Sequence, residues 1–429
     1  MILVDTALDK RHADGKPLRV GLVGAGYMGR GIAMHFLEPL RGMRLVAVSN
    51  RTIGDAERAY TQAGIVDTRK VDNVRDLESA IAAGRPAIAD DAMLLCQADG
   101  IDVLIESTGE IEFGAHVAME AIRHGKHVVL MNAEMDATIG PILKVHADRA
   151  GVVVTNTDGD EPGVAMNLVR FVNGVGYRAV AAGNLKGMID PYRTPDTQRA
   201  FAEKYHQKPR MITSFADGTK LSMECTILCN ATGFRVGKRG MYGPKCAHVK
   251  EALGVFPVEQ LQNGGLVDYL LGAEPHTGAW VIAYTENPIK QQYMNYFKMG
   301  DGPYYMFYTP YHLPHVQIVD TVARAGLFSD ATVAPIGAPV CDVLAVAKKD
   351  LAVGETLDGI GGFMTYGTID NADVVRREAL LPMGLSEGCK LKRAIPKDQP
   401  IRSDDVVVPS GRLCDKLRQE QDSFFAVDR

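Results

Sequence analysis

The chain has 429 residues, 46% of them hydrophobic, and a formal net charge of −5. This apolar content can fill real cores and excludes an intrinsically disordered chain, and about 150 residues per domain predicts about three domains. The near-neutral charge gives no electrostatic footprint for nucleic acid, and no apolar run approaches the ~18 residues of a membrane-spanning helix. The N-terminus soon turns charged, unlike a secretory signal. We therefore expect a cytoplasmic protein with no nucleic-acid or membrane partner.

The seven cysteines are scattered, without a C-x-x-C pair. Neither a disulfide framework nor a zinc ribbon is therefore predicted. We expect these cysteines to be small buried hydrophobic residues.

Residues 1–156 alternate short β-rich segments with helical segments, which is the pattern of a parallel, doubly wound sheet. Strands are predicted at 19–23, 44–49, 103–107, 127–131 and 152–156, with helices at 29–40, 114–124 and 139–150. The predicted fold class is therefore α/β, with a Rossmann-type dinucleotide-binding domain over residues 1–156.

The pattern changes after this domain. Residues 157–337 combine three predicted helices with long aromatic and polar loops, which predicts an α+β catalytic or oligomerisation domain; the helices are at 162–175, 194–208 and 218–232, and the loops at 239–244 and 300–315. Residues 338–410 read as a small β-rich domain, because short strand-like pieces are joined by turn signals. Residues 411–429 form a polar tail that is expected to be helical or frayed.

The segment VGLVGAGYMGRG carries G-x-G-x-x-G between a predicted strand and a predicted helix. Gly24 permits the tight turn, Gly26 lets the backbone approach a pyrophosphate, and Gly29 packs the helix on the strand. Tyr27 and Met28 lie between these glycines, at the helix N-terminus that donates to the phosphate. We predict a nicotinamide dinucleotide site at these five residues.

The end of the second strand predicts which nicotinamide cofactor binds. An NAD enzyme usually has a carboxylate here for the ribose hydroxyls. This chain instead has Ser49, Asn50 and Arg51. Arg51 can pair bidentately with a 2′-phosphate, so we expect NADPH rather than NADH. An ordinary surface arginine is the alternative.

Short polar residues follow two later strands of the predicted sheet. Ser107 ends the strand at 103–107, Thr108 and Gly109 follow it, and Asn132 comes after the next strand. Ligands of open α/β sheets bind outside the carboxyl ends of the strands, so these residues are expected to contact the cofactor. Turn formation alone explains the same residue types.

The segment TDGDEPG places Asp158, Asp160 and Glu161 within four positions, before a predicted helix. Such crowding requires relief by solvent, a helix N-terminus, a shared proton or a cation. Carboxylate oxygens suit Mg²⁺ or Mn²⁺, so these three residues are the predicted metal ligands. The alternative is a solvated acidic turn with Asp160 as the N-cap.

Four residues are candidate catalytic groups: Lys186, Asp160, Glu224 and His312. Lys186 ends an apolar stretch and could polarise a carbonyl or act as a general acid, although such lysines often extend to the surface. Glu224 lies on an apolar helix, and a solvated pair with Lys220 is its alternative. His312 lies in an aromatic loop, where it could bind a substrate hydroxyl or phosphate or simply pack.

Together, the motifs VGLVGAGYMGRG, SNR, IESTG, MNAE, TDGDEPG, LKGMIDPYR, SFADGTKLSME and YTPYHL resemble a bacterial family of homoserine-dehydrogenase-like oxidoreductases. A C-terminal SAF-type domain follows the catalytic region in that family, and residues 340–408 are similar to SAF modules. The resemblance spans nearly the whole chain. It departs at MNAE, where Ala133 and Glu134 replace the usual lysine, which argues against homoserine as the substrate.

The resemblance implies an NADPH-dependent reductoisomerase-like enzyme of isoprenoid biosynthesis. Such an enzyme rearranges 1-deoxy-D-xylulose 5-phosphate and transfers hydride, giving 2-C-methyl-D-erythritol 4-phosphate, and a divalent metal would polarise the substrate oxygens. One alternative is an NAD(P)-dependent dehydrogenase or oxidoisomerase of a sugar acid or another small polyhydroxylated carbonyl compound. Another is an NADPH-binding sensor without catalysis. A homodimer is the default assembly for such enzymes.

Overall fold

The structure is a computed structural model that describes residues 4–37 and 40–426. Within these residues the strands are β1 Leu18–Val23, β2 Met43–Ser49, β3 Arg69–Lys70, β4 Ala87–Ala89, β5 Val103–Glu106, β6 His127–Leu130, β7 Val154–Asn156, β8 Arg178–Lys186, β9 Leu266–Leu271, β10 Ala279–Tyr284, β11 Tyr304–Thr309, β12 Cys341–Ala347, β13 Thr365–Asn371, β14 Lys390–Leu391 and β15 Val406–Val407.

The α-helices are α1 Asp5–Ala13, α2 Tyr27–Leu37, α3 Ile53–Thr61, α4 Val74–Ala82, α5 Ala92–Gln97, α6 Ile111–Arg123, α7 Ala133–Ala150, α8 Glu161–Gly174, α9 Pro195–Lys204, α10 Pro209–Ala216, α11 Thr219–Thr232, α12 Val258–Gln262, α13 Pro288–Tyr296, α14 Pro314–Phe328, α15 Ala372–Arg377 and α16 Leu413–Phe424. Short 3₁₀ helices are Val249–Gly254, Met383–Leu385 and Ser403–Asp405. In the described part of the chain, no helix has the length and apolar character needed to span a membrane. All seven cysteines are buried and free, as predicted.

The chain divides into two compact units. The first comprises Met1–Asp160, Leu313–Ala334 and Leu413–Arg429, and the second comprises Glu161–His312 and Pro335–Arg412. This division differs from the predicted domain boundaries, because the chain returns to the first unit with α14 and α16. The predicted β-rich domain at 338–410 lies within the second unit.

The first unit is built on a parallel seven-stranded sheet in the order β3-β4-β2-β1-β5-β6-β7. Its central strands are almost continuously buried, because helices cover both faces of a doubly wound sheet. Helices α2, α3 and α14 pack on one core and α4 to α7 on the other. The strand order reverses between β1 and β5, which is where such sheets bind ligands. The predicted Rossmann-type fold is confirmed.

Helix α7 contains a proline, and α16 supplies partners to the backbone around it. Pro141 lacks an N–H and its ring crowds the preceding turn. The Ile142 N–H donates to Gln421 Oε1 at 3.2 Å, and Arg418 Nη1 donates to the Thr138 carbonyl at 3.3 Å. The polar tail expected after residue 410 is therefore largely a helix that packs on α6 and α7.

The second unit contains a mixed four-stranded sheet in the order β11-β10-β8-β9. Strand β9 is parallel to β8, whereas β10 is antiparallel to both β8 and β11. One face packs against α8 and α11, and the 3₁₀ helix Val249–Gly254 covers the other, where Trp280 is fully buried. A mixed sheet with helices packed on it is the α+β architecture predicted for residues 157–337.

The segment 300–315, predicted as a long loop, contains β11 and the start of α14. Its run YYMFYT pairs residue by residue with β10. Aromatic residues favour a pleated, half-buried surface, so this aromatic content indicated a strand rather than a loop. The loop prediction is wrong for these residues.

Residues 338–410 contain two antiparallel strand pairs, β12 with β13 and β14 with β15, and a separate β-rich domain there stays a prediction. A buried ion pair attaches β12 to the rest of the second unit. Lys348 Nζ, just after β12, lies 2.7 Å from Asp217 Oδ2 and 2.7 Å from the Arg193 carbonyl, and it also donates to Gly362 O. The resemblance of this region to SAF modules stays a prediction.

Candidate active site

The glycine-rich loop joins β1 to α2. Gly24 has a φ of +99°, and a Cβ there would lie 2.9 Å from the Ser107 carbonyl carbon. A Cβ on Gly29 would lie 2.0 Å from the Gly24 oxygen. The fold itself therefore requires these two glycines. Gly26 differs, because a Cβ there would meet nothing within 4 Å. The open space above Gly26, at the N-terminus of α2, fits a pyrophosphate.

Three predicted cofactor contacts hold the loop in place. The Ser107 hydroxyl donates to the Gly24 carbonyl at 2.9 Å, and Asn50 Oδ1 accepts from the Ala25 N–H at 3.0 Å. The Ser49 side chain is buried, and its carbonyl accepts from the Gly24 N–H at 2.8 Å. These residues shape the loop that would receive the dinucleotide.

Other predicted cofactor contacts are more accessible. Tyr27 and Arg51 are exposed, and Met28 is half-buried at the start of α2. In the described part of the chain, Arg51 makes no hydrogen bond or ion pair, so its guanidinium stays available to a ligand. Thr108 donates its N–H and hydroxyl to Glu106, and Gly109 has a φ of +70°.

Asn132 is fully buried, and its hydrogen bonds hold the start of α7 and the side chain of Glu106 in place. Its Oδ1 accepts from the Met135 N–H at 3.1 Å, which makes it the N-cap of α7. Its Nδ2 donates to Glu106 Oε2 at 2.8 Å and to the Glu110 carbonyl at 3.1 Å. Both amide hydrogens are used in these bonds, and a contact between Asn132 and the cofactor stays a prediction. Burial raises the pKa of Glu106, a partner that the sequence analysis missed.

In the second unit, α8, β8 and α11 bring three predicted residues together. Lys186 ends β8, and its Nζ donates to Glu161 and to Glu224 Oε2, the latter at 3.3 Å. Asn184 lies two residues earlier on the same face of β8, and its Nδ2 donates to Glu224 Oε2 at 3.0 Å. Both glutamates are 2% exposed, whereas the Lys186 side chain is 20% exposed. A solvated helix-face pair for Glu224 is excluded by this burial.

The charges in this cluster stabilise one another. Burial alone would raise the pKa of Glu161, but Lys186 and then His312 lower it to about 2. Burial alone would lower the pKa of Lys186, but Glu161 and Glu224 raise it above its ordinary value. At neutral pH, Lys186 is therefore a cation fixed by buried carboxylates. Such a group can polarise a carbonyl oxygen or donate a proton.

His312 lies on another side of Glu161. Its Nε2 is 3.6 Å from Glu161 Oε2, and its Nδ1 is 2.9 Å from the Thr277 hydroxyl. The sequence analysis missed Asn184 and Thr277. The position of Asn184 two residues before Lys186 on a strand could have identified it, whereas no sequence signal links Thr277 to His312.

The acidic turn does not act as one group. In the first unit, Asp158 Oδ2 lies 3.5 Å from Arg324 Nη1, and the Asp158 N–H donates to the Thr321 hydroxyl. This ion pair gives Asp158 a cationic partner within the protein, and its role as a metal ligand stays a prediction. Oxygens of Glu161 and Glu224 lie within 4.8 Å of one another, so both could hold a divalent cation. Asp160 is also buried and directly precedes Glu161 in the chain, and it is the third candidate ligand.

Two family models match consecutive stretches of the chain. Residues 24–152 match the NAD-binding domain of homoserine dehydrogenase, and residues 159–318 match the catalytic domain described as oxidoreductase DRL. The first match contains the glycine-rich loop, and the second contains Lys186, Glu161, Glu224 and His312.

A curated relative, homoserine dehydrogenase from Methylobacillus glycogenes, is 29% identical over 124 residues, which is 28% of this chain. The match spans about a quarter, 26%, of that relative's length. A solved probable dehydrogenase from Thermotoga maritima is 10% identical, with a TM-score of 0.42 over 75% of this chain and 91% of its own. A myo-inositol dehydrogenase from Lactobacillus casei, solved with NAD(H) and myo-inositol, is 12% identical, with a TM-score of 0.40 over 75% and 88%. The chain is thus similar to a homoserine dehydrogenase NAD-binding domain over residues 24–152 and to an oxidoreductase catalytic domain over residues 159–318.

Proposed function

We propose that the protein is an NAD(P)-dependent oxidoreductase of a small polyhydroxylated compound, with sugar acids as the leading substrate class. It would transfer hydride between the nicotinamide and a carbonyl or carbinol carbon. The observation that carries this proposal is the Lys186 ammonium, which two buried carboxylates fix in a partly exposed position. The glycine-rich loop supports the cofactor half of the proposal.

The chain's own residues would handle the proton that accompanies hydride transfer. The Lys186 ammonium would bind the substrate carbonyl oxygen and donate a proton to it as the carbon is reduced. In the oxidative direction, Lys186 would first lose a proton to solvent, and its neutral nitrogen would then take the proton from the alcohol. Glu161 and Glu224 hold Nζ in place, because both accept hydrogen bonds from it.

The test is hydride transfer by the purified protein with a panel of sugar acids, polyols and their phosphates, in both directions. Lys186→Met should lower kcat by about 10²- to 10⁴-fold, the usual contribution of a general acid, while cofactor affinity stays the same. Lys290→Met is the matched control, because Lys290 contacts the Gly176 carbonyl on the surface of the same unit. Unchanged turnover in the Lys186 variant would remove this residue from the mechanism.

We also propose NADPH as the preferred cofactor. The end of β2 offers Arg51 and no carboxylate, so a 2′-phosphate would meet a cation there. Arg51→Asp should weaken NADPH binding at least about tenfold and leave NADH binding unchanged or tighter. Fluorescence titration of both cofactors measures this, and tighter binding of NADH by the unaltered protein would contradict the proposal.

A second candidate is the metal-assisted rearrangement and reduction of 1-deoxy-D-xylulose 5-phosphate. The carboxylates favour it, because oxygens of the buried Glu161 and Glu224 lie within 4.8 Å of one another. Oxygen-rich donors of this kind suit Mg²⁺ or Mn²⁺, and the bound cation would polarise substrate oxygens.

Calorimetric titration with Mn²⁺ alone tests the metal site without relying on activity. The protein should bind about one equivalent, and Glu224→Gln should weaken that binding at least tenfold. Absence of Mn²⁺ binding by the unaltered protein would remove this candidate. The assay with 1-deoxy-D-xylulose 5-phosphate then shows whether a metal-binding protein forms the methylerythritol phosphate product.

A further inference from the structure

A cavity of about 410 Å³ opens in the first unit, where β1 and β2 begin. Its volume lies in the ~300–1,000 Å³ range of small-molecule pockets. Four cations line it, Arg11, Lys16, Arg19 and Arg44, together with a single acid, Asp102. We call it the cationic cavity.

The cationic cavity lies at the opposite end of β1 from the glycine-rich loop. Arg19 is the second residue of β1, and Gly24 follows its last residue. At ~3.3 Å per residue, the two positions are about 16 Å apart. Dinucleotides bind outside the carboxyl ends of such strands, so the cavity is not part of the cofactor site.

The backbone brings the four cations together. Arg19 and Arg44 are direct partners in the parallel register of β1 and β2. Arg11 is in the last turn of α1, and the Lys16 N–H donates to its carbonyl at 2.9 Å. Like charges on paired residues of neighbouring strands repel one another, so this arrangement favours a bound anion.

Among the described residues, Arg19 is the one cation of the four that pairs with an acid. Its Nη2 lies 2.7 Å from Asp102 Oδ1, and its Nε donates to Asp102 Oδ2 at 3.1 Å. The hydrogen bonding to Asp102 raises the pKa of Arg19, and the charges of nearby acids add to the rise. Asp102 is therefore already paired and does not neutralise the other three cations.

The other three cations have no acidic partner within the part of the chain that the structure describes. Arg44 Nη2 donates to the Gly84 carbonyl at 3.1 Å, and Lys16 is exposed. Arg11 Nε is buried and has no hydrogen-bond partner among these residues, although buried donors are normally bonded. An oxygen of a bound anion would accept a hydrogen bond from this group.

We propose that the cationic cavity binds a small organic phosphate. The Arg11 and Arg44 guanidinium groups can each give two parallel hydrogen bonds to phosphate oxygens, and Lys16 adds a third positive charge. Val46 and Ile81 also line the cavity and offer an apolar surface to the organic part of the ligand. This inference is independent of the proposed activity, because the cavity contains no residue of the glycine-rich loop or of the candidate active site.

Calorimetric titration of the whole protein with phenyl phosphate tests this site, because the probe has a phosphate group and an apolar ring but does not resemble a dinucleotide. About one equivalent should bind, at least about tenfold more tightly than inorganic phosphate, since the ring would bury apolar surface. Absence of phenyl phosphate binding, or equal affinity for inorganic phosphate, would overturn the proposal.

Substitutions locate the bound probe. Arg11→Met and Lys16→Met should each weaken the binding of phenyl phosphate at least about tenfold, because each removes one charge that would contact the phosphate. Lys16 is exposed, so its variant should also keep the circular dichroism spectrum of the unaltered protein. Arg75→Met is the matched control, since Arg75 is exposed on α4, does not line the cavity and has no ion pair among the described residues. Equal affinity in the cavity variants and the control would count against this location.

Discussion

An added methyl group should have opposite consequences at two glycines of the cofactor loop. Gly26→Ala places its Cβ in open space, so the free energy of unfolding should change by less than about 0.5 kcal/mol. Cofactor affinity should fall about 10- to 100-fold, because the methyl group occupies the path of the pyrophosphate. Gly29→Ala should instead destabilise the fold by at least about 1–3 kcal/mol, since its Cβ would overlap the Gly24 oxygen. Thermal unfolding and NADPH titration measure both effects. Unaltered cofactor binding by Gly26→Ala would contradict the placement of the dinucleotide.

Asn184 should act by orienting Glu224, and the pH dependence of turnover can separate this role from simple packing. Asn184→Asp replaces an N–H donor with a second carboxylate beside Glu224, which should raise the pKa of one of the two groups. The loss in kcat should grow by about tenfold as both groups ionise with rising pH. Asn184→Ala serves as the reference, with a loss that does not vary with pH. Parallel pH–rate profiles for the two variants would leave Asn184 with only a packing role.

Individual site residues could be predicted from the sequence where the signal comes from residues that are close together in the chain. The G-x-G-x-x-G spacing identified the loop, and Lys186 stood out as a cation ending an apolar strand. The partners of Lys186 could not be predicted, because Glu161 and Glu224 reach it from two different helices. For the same reason, sequence reasoning could not separate Asp158, which pairs with Arg324, from its two acidic neighbours.

Among the elements, the buried ion pair between Lys348 and Asp217, which attaches β12 to the rest of the second unit, should contribute strongly to stability. Lys348→Met would leave Asp217, itself fully buried, without its cation, and removing one partner of such a pair costs about 3–5 kcal/mol. Denaturant unfolding of the variant measures this loss. Arg199→Met, which breaks the exposed pair with Asp196, should change stability by less than about 1 kcal/mol. A similar small loss for both variants would show that Lys348 is not a structural anchor.

Whole elements were predictable where burial leaves a simple pattern. The central strands β1, β2, β5 and β6 appear within about two residues of their predicted bounds, because strands buried on both faces are continuous apolar runs. Strands β3 and β4 have two and three residues, too few for any periodicity. The aromatic content of β11 indicated a strand, whereas the packing of α16 depends on distant partners that no local pattern reveals.

At the scale of the whole molecule, two buried acids should make the fold less stable as the pH rises. Burial raises the pKa of Asp136 to about 7 and that of Asp268 to about 6. Between an unfolded pKa of about 3.9 and these values, the folded state binds more protons than the unfolded state. The free energy of unfolding therefore falls with rising pH, by up to about 1.4 kcal/mol per pH unit for each group.

Asp136→Asn should remove the contribution of Asp136 to this pH dependence. The variant should gain stability relative to the unaltered protein at pH 8 and show little difference near pH 4. Urea unfolding at several pH values measures the difference, and a constant offset across the range would show that Asp136 stays ionised when buried.

The way α16 supports α7 also affects the order in which the protein can fold during synthesis. The seven strands of the first sheet have all been made by residue 156, but Gln421 and Arg418 follow only after the whole second unit. Until then, the backbone around Pro141 lacks the partners that α16 provides. A nascent chain therefore has all seven strands of the sheet, but not the helix that supports α7, while the ribosome makes about 250 further residues. We therefore expect the first unit, which contains the cofactor loop and is mostly encoded first, to reach its final stability last.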